Sequence, residues 1–336
     1  MTNKLYDVFM LTASTVDHII KMDGTFPILG GCSRIIKDDY YEAGGEGNLL
    51  ICFSRLGGKI LPFGPLGNDF LGTFLKKVFI DEGIDVSGLK TVKTYKTPTV
   101  ECLVDDNGVH SFVSALGHCK FAEEKEIFDA LDKCKAVYIL GYSLAYPEHS
   151  FYQLTLSLVK HAVDHGLKVY YDPGPLVGKI SAEVTEFVLK NSDIISMNDE
   201  EAFLMTGLKD VEEAAWKAAE VCKGVVVVKA GAKGCFVIDK NKQGKWYPGF
   251  KVKTVDTSGA GDSFMSALMY ADLNNWDLDT SITFANAAGA VKASKFGTGR
   301  DVPTFDEMVK FLTENNYNVS ECSIISKRFC DLDLRG

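Results

Sequence analysis

Short apolar runs recur along the chain with amphipathic stretches between them, and the period changes from one to the next. D-V-F-M-L-T (7–12), K-I-L-P-F-G (59–64), A-V-Y-I-L-G (136–141), K-V-Y-Y-D (168–172) and D-I-I-S-M-N (193–198) read as strands. So does G-V-V-V-V-K (224–229), apolar on both faces as a strand inside a parallel sheet must be. C-F-V-I-D (235–239) and K-V-K-T-V (251–255) read as two more. Helical spacing fills the gaps. Asn48 to Leu56 stops at Gly57-Gly58, and Asp69 to Glu82, carrying Phe70, Phe74, Leu75, Val78 and Phe79, stops at Gly83. Further helices are expected over Pro147 to Gly166, Ala182 to Lys190, Asp199 to Thr206, Val211 to Cys222, Leu278 to Ser294 and Thr304 to Glu314. Phe264, Ala267, Leu268 and Ala271 repeat at i, i+3, i+4 and i+7, which opens one more after Gly261.

Such alternation predicts an α/β fold, a doubly wound and mostly parallel sheet flanked by helices. One region departs from it. Pro98 to His118 alternates residue by residue and turns at Asn107-Gly108, a hairpin signal. Asp17 to Tyr41 is poorly helical and is grouped with it. A small β lid, with approximate limits 17–43 and 96–118, is therefore expected on a single domain spanning 1–336. Ligands of open α/β sheets sit beyond the carboxyl ends of the strands.

Composition narrows the partners. The net charge is −9 and no basic stripe is present, which argues against nucleic acid and anionic membrane surfaces. Nine cysteines, an odd number with no Cys-x-x-Cys, read as reduced thiols in a cytoplasmic protein. His161 and His165 are the one histidine pair at metal-type spacing, and structural or solvent roles are assigned to them. M-T-N-K-L-Y-D-V-F-M-L reads as a first strand rather than a signal peptide, and no stretch approaches a membrane span.

The chemistry concentrates in T-V-D-T-S-G-A-G-D-S-F (254–264). Gly259 and Gly261 precede a helix N-terminus, whose unpaired N–H groups and dipole favour an anion. Glycines let the backbone approach that anion closely. G-x-x-x-x-G-K-[ST] occurs nowhere, so this is not a P-loop. Asp262 lies in the first turn, where the dipole would keep it ionised. It reads either as a helix cap or as a base that takes a hydroxyl proton during phosphoryl transfer.

D-T-S-G-A-G-D-S-F resembles the second signature of the ribokinase/PfkB carbohydrate kinases, and four more elements follow that family's order. These are A-G-G-E-G-N-L-L-I-C-F-S-R-L-G (43–57), F-G-P-L-G-N-D-F-L-G (63–72), M-N-D-E-E-A (197–202) and K-A-G-A-K-G (229–234). The resemblance implies a ribokinase-like fold that uses ATP and Mg²⁺. It makes Asp262 the general base, with Gly259, Ala260 and Gly261 giving N–H groups to the transferring phosphate. Asn198 and Glu201 would organise Mg²⁺, largely through water. Without the resemblance these two read as a helix N-cap and its capping-box partner. Lys229, Gly231, Gly234 and Asn286 would line the nucleotide site. Asp256 and Ser258 fall where some members hold a monovalent cation such as K⁺, but Asp301 stands where others have Ser.

On the acceptor side the resemblance assigns Asp17, Gly44, Gly45 and Asn48 to substrate binding. Ala43 replaces the first glycine of the usual G-G-x-x-x-N. Y-D-P-G-P-L (171–176) lacks the arginine that many keto-sugar-acid kinases carry there, and nothing marks Arg34, Lys37 and Lys120 of the lid region as converging on a phosphate, so an unphosphorylated sugar is expected. The expected activity is transfer of the γ-phosphoryl group of ATP to a small carbohydrate of ribose, fructose or keto-deoxy type. A nucleoside kinase and a non-catalytic nucleotide-binding regulator are the alternatives. Val100, Leu103, Phe112 and Val113 on the hairpin need cover, so a homodimer through the lid is expected.

Overall fold

The computed structural model describes residues 4–317, apart from 27, 29–33, 108, 116 and 118. Cys32, Cys322, Cys330 and most of the C-terminal tail lie outside the described residues.

The chain opens with β1 (Tyr6–Leu11), β2 (Val16–Met22), β3 (Ile36–Ala43), α1 (Glu46–Arg55), β4 (Ile60–Gly67) and α2 (Phe70–Asp81). Then come β5 (Leu89–Val92), β6 (Thr99–Val104), β7 (His110–Ser114), α3 (Glu124–Leu131), β8 (Cys134–Leu140) and α4 (Ser150–Asp164). β9 (Lys168–Asp172), α5 (Ala182–Asn191), β10 (Ile194–Asn198), α6 (Asp199–Thr206), α7 (Val211–Ala219) and β11 (Val225–Lys229) follow. The chain continues through β12 (Gly234–Ile238), β13 (Gly244–Pro248), α8 (Ala260–Leu273), α9 (Leu278–Ala293) and α10 (Phe305–Glu314).

Among the described residues, nine strands form one sheet in the order β13-β12-β11-β10-β9-β8-β1-β4-β5. Its pairs are parallel except β11–β12 and β12–β13. Side-chain alternation divides the core. Val8, Met10 and Val227 face a cluster with Leu49, Phe53, Phe79, Leu268, Phe284 and Met308 from α1, α2, α8, α9 and α10. Phe9, Leu11, Val226 and Val228 face the other cluster, with Leu131, Leu158, Val188, Ala202 and Ala215 from α3 to α7. Each such fully buried large side chain contributes about 1.5–3 kcal/mol, and with helices on both faces the sheet is doubly wound.

The second sheet, β3-β2-β6-β7, is the lid. It runs antiparallel except between β2 and β6. Its small core is Ile19, Cys102 and Val104 with Tyr40 and Phe296. His161 and His165 make local contacts: His161 Nε2 lies 2.8 Å from Asp132 Oδ1, and His165 Nδ1 2.8 Å from the His161 carbonyl.

One predicted strand is absent. Lys251 to Val255 pairs with no neighbour, and its polar side chains face solvent. The N–H groups of Val255 and Asp256 instead donate to the Ala293 carbonyl at 2.8 and 3.2 Å. The alternation of K-V-K-T-V mimics an edge strand, but the edge is already taken by β13, whose G-K-W-Y-P pattern gives little sign of it. β5 and α3 are likewise unanticipated. The glycine-rich loop therefore hangs from the end of α9 rather than from a strand.

Candidate active site

The C-terminal ends of β8 to β11 and the N-terminus of α8 converge on one cleft of about 730 Å³. Asp172, Asn198, Glu201, Lys229, Gly231, Gly234, Ala260, Gly261, Asp262 and Asn286 all line it. Residues far apart in sequence thus meet where an open α/β sheet places its ligands.

Gly259 is the N-cap of α8 and has φ 75°, a left-handed conformation that a side chain would strain. Ser263 N–H and Oγ both donate to the Gly259 carbonyl at 2.9 Å, which fixes the first turn. Ala260 differs from the expectation: its N–H donates to Thr257 O at 3.1 Å, because the loop closes a tight turn just before the helix. Among the described residues the N–H groups of Gly259, Gly261 and Asp262 have no such backbone partner, so they are the donors left for an anion.

Asp262 is recessed in this turn, with Asn48 Nδ2 donating to Oδ2 at 3.2 Å. Its carboxyl is pushed up to about 7, first by burial and then by the nearby Asp172, against the pull of Lys229 and Asn48. The expectation from sequence that the helix dipole keeps it ionised at neutral pH is therefore only partly met, because loss of water around the charge outweighs the dipole. Lys229 Nζ lies 3.4 Å from Asp172 Oδ2. Burial opposes the ammonium, but Asp172, Glu201 and Asp262 together hold its pKa above the usual value.

Asn198 and Glu201 form a reciprocal capping box on α6. Asn198 Oδ1 accepts from Glu201 N, and Glu201 Oε2 accepts from Asn198 N, both at 2.7 Å. Glu201 is 7 % exposed, and burial, then Asp172, push its carboxyl up to about 7. Cap and cleft wall are thus the same residues. The box occupies one carboxylate oxygen of Glu201 and leaves the other, so the pair fits a magnesium ion held mostly through water. Gly231 and Gly234 shape the β11–β12 connection and line the cleft, and Asn286 Nδ2 makes a weak 3.5 Å contact with Pro248 O.

Of the residues expected to bind the acceptor, Gly45 lines this cleft, whereas Asp17, Gly44 and Asn48 are not among its described lining residues. Asp17 is 7 % exposed, and its carboxyl is pushed up to about 6 by burial, less a contribution from the Thr298 hydroxyl. A Cβ at Gly44 would lie 1.8 Å from Asp17 Oδ1, so only glycine leaves that carboxylate in place. Asn48 Oδ1 accepts from Gly299 N at 2.6 Å while its amide reaches Asp262, tying α1 to the catalytic turn. A second, smaller cavity of about 120 Å³ runs under the lid, walled by Thr15, Gly45, Glu46, Val100, Tyr142 and His149 among others. Gly45, Leu140 and Tyr142 wall both cavities, which therefore adjoin.

Sequence reasoning singled out none of Asp172, Glu46 and Tyr142 individually: Tyr142 and Asp172 fall in the strand-end loops 141–146 and 171–176, expected from the resemblance to distinguish acceptors, and Glu46 falls inside the Gly44 to Asn48 segment. Asp256 and Ser258 do come together, the Ser258 N–H donating to Asp256 Oδ1 at 2.9 Å and the Gly297 N–H to Oδ2 at 3.0 Å. Each oxygen of Asp256 thus accepts one backbone N–H group and keeps a further lone pair.

Comparison with known proteins agrees with the geometry. A ribokinase of Haemophilus influenzae is 32 % identical over 311 residues, covering 90 % of this chain and 97 % of its own. A fructokinase of Vibrio alginolyticus is 27 % identical, covering 80 % of this chain and 91 % of its own. The crystal structure of ribokinase from Thermotoga maritima superposes with a TM-score of 0.78 at 25 % identity, covering 92 % of this chain and all of that one. The sequence model of the pfkB family carbohydrate kinases matches residues 13–305, and the chain belongs to that family.

Proposed function

We propose that the chain transfers the γ-phosphoryl group of ATP to a hydroxyl of a small, uncharged monosaccharide. The observation that carries this reading is the pair of adjoining cavities. The larger, about 730 Å³, offers an anion-ready helix N-terminus and Lys229. The smaller, about 120 Å³, is walled by Glu46 and His149 and has neither lysine nor arginine among the described residues of its wall. A sugar phosphate or sugar acid would enter it against Glu46 with no cation to receive its charge. The size suits a single sugar ring better than a nucleoside.

In this reading Asp17 and Asn48, the acceptor residues the resemblance implies, hydrogen-bond the sugar hydroxyls at the edge of the smaller cavity, whose described wall includes neither of them. Asp262 takes the proton of the attacking hydroxyl as its oxygen bonds to the γ-phosphorus and the bond to the β-phosphate oxygen breaks. The N–H groups of Gly259, Gly261 and Asp262, with Lys229, meet the negative charge of the transferring group. Asn198 and Glu201 would hold Mg²⁺ through water, and the ion would supply neutralisation of phosphate charge. The lid closes the acceptor cavity and keeps water from the reaction. The whole chain acts as one such domain, and two copies associate through their lids.

The test is ATP-dependent phosphorylation of ribose, fructose, 2-keto-3-deoxygluconate, fructose 6-phosphate and the common nucleosides, with Asp262→Asn beside the wild type. A neutral sugar is expected to turn over, and the variant to lose kcat by orders of magnitude while still binding nucleotide. Preferential turnover of an acid, a phosphate or a nucleoside would overturn the acceptor assignment. Undiminished turnover by Asp262→Asn would overturn the catalytic one.

A further inference from the structure

Away from the cleft, two histidines and an aspartate meet at one corner of the molecule, and phosphoryl transfer makes no use of them. His161 lies in the last turn of α4, and His165 is the C-cap of that helix, one turn further along the same face. Asp132 is the C-cap of α3. α3 leads into the start of β8 and α4 into the start of β9. The corner therefore lies at the strand ends opposite those that carry the cleft.

The parts of a chelate are assembled here. Asp132, His161 and His165 each offer one ligand atom, and the three atoms lie within 4.8 Å of one another. His161 Nε2 is 2.8 Å from Asp132 Oδ1. Its ring is stacked on Phe128, with centroids 4.4 Å apart, and on His165, with centroids 3.9 Å apart, which fixes its plane. His165 Nδ1 lies 2.8 Å from the His161 carbonyl. A carbonyl only accepts, so the proton sits on Nδ1 and the lone pair is left on Nε2. Metal-binding histidines are commonly anchored through their second nitrogen in this way. A separate feature favours a cation at the same place. Two helix C-termini meet here, α3 at Asp132 and α4 at His165, and their terminal carbonyls carry partial negative charge. The neighbouring Lys4 ammonium donates to the main-chain carbonyl of Asp132 at 2.6 Å.

We propose that Asp132, His161 and His165 form a site for a borderline-soft divalent cation such as Zn²⁺, which clips the end of α3 to the end of α4. Two imidazoles with one carboxylate suit zinc, whereas magnesium prefers oxygen ligands and water. The ion takes the place of the proton between His161 Nε2 and the Asp132 carboxylate, and that proton passes to solvent. Zinc bonds of about 2.0–2.1 Å set tetrahedral ligands about 3.4 Å apart, so the three side chains draw in on binding. His165 is exposed, and a tilt of its ring closes the gap. Water completes the coordination. An ion that binds the folded chain and not the unfolded one stabilises the fold by mass action. The site is separate from Asn198 and Glu201, and the inference depends neither on the kinase reading nor on the acceptor.

The test uses the full chain, stripped of metal with a chelator and kept in excess MgCl₂ with a phosphine reductant. Zn²⁺ binding is measured by calorimetry, Co²⁺ binding by visible absorption, and stability by thermal unfolding. Wild type is expected to bind one Zn²⁺ per chain and to melt about 4 °C higher at a hundredfold excess of Zn²⁺ over its dissociation constant. Co²⁺ is expected to give the d–d bands of nitrogen and oxygen ligands without thiolate charge-transfer absorption. His165→Ala changes an exposed side chain and is expected to weaken Zn²⁺ binding about tenfold or more and to abolish the rise in melting temperature. Asp132→Asn keeps the shape of the carboxylate and is expected to weaken binding as well. Circular dichroism without metal checks folding, and His165→Gln replaces His165→Ala if the latter fails to fold. Absence of saturable binding by wild type up to about 0.1 mM Zn²⁺ would overturn the proposal. So would binding and stabilisation that persist unchanged in the His165 variant, or a cobalt spectrum dominated by thiolate.

Discussion

Asp262 shows how one side chain answers to several distant ones. The glycine motif makes it conspicuous in the sequence, but its ionisation depends on Asp172 and Lys229, which folding alone brings near. As the proposed base it must be deprotonated to work, so kcat/KM should rise with pH toward a plateau above about 7, the value to which burial and Asp172 push this carboxyl. Asp172→Asn removes the neighbouring negative charge, so the acidic limb should move to lower pH. A profile unmoved in that variant would show that Asp172 does not set the proton affinity of the base. The same shift bears on stability. The folded state binds the Asp262 proton more tightly than the unfolded chain does, so stability falls as pH rises from about 4 toward 7. Asp262→Asn should therefore melt at a higher temperature than wild type above pH 7 while losing turnover. Thermal unfolding monitored by circular dichroism at pH 6 and pH 8 checks both the sign and the pH window.

At the level of elements, long periodic segments were legible and short or edge segments were not. The helices and strands with clear apolar spacing, such as Val225–Lys229 and Phe70–Asp81, lie within a few residues of their expected limits. Gly244–Pro248 and Leu89–Val92 were missed because pairing, not pattern, makes them strands. Lys251 to Val255 was over-read for the converse reason. Motif residues were legible by resemblance, while their physical work was not. Asp69, inside G-N-D-F-L-G, is a case. It caps α2 by accepting from Gly72 N at 2.8 Å, and it accepts from Thr97 N at 2.9 Å and Thr97 Oγ1 at 2.8 Å. One carboxylate thus joins a core helix to the segment entering lid strand β6. Burial alone would raise its pKa, but these donors outweigh burial and lower it. Asp69→Ala should cost about 1–2 kcal/mol in denaturant unfolding at pH 7. Because the folded pKa is depressed, that contribution is present at neutral pH and lost as pH falls through it. The gap between variant and wild type should then narrow in acid; a gap that stays constant would mean the charge is not what matters.

Considered whole, the molecule places its core on both faces of one large sheet and its smaller cavity, the proposed acceptor site, against a thin lid. The lid has little interior of its own. Ile19, Cys102 and Val104 are buried, whereas Ile36, Tyr41, Phe112 and Val113 are 55, 38, 57 and 62 % exposed. A four-stranded sheet with so small a core gains little from its own packing, and its apolar outer surface and open edges are costly in water. Association with a second copy would cover that surface and stiffen the strands that carry Asp17 and Val100 over the acceptor. Sedimentation velocity at micromolar concentration should therefore report a dimer. Val113→Lys places a charge on the outer surface of edge strand β7 without touching the cleft, so it should shift the protein toward monomer. If the lid is braced by its partner, KM for the sugar should rise in that variant while the MgADP affinity measured by calorimetry stays near wild type. That split is what tells lid support from general destabilisation, because a weakened core would lower both. A wild-type protein that sediments only as a monomer would overturn lid pairing, and the exposed apolar strands would then have to close over the acceptor within a single chain.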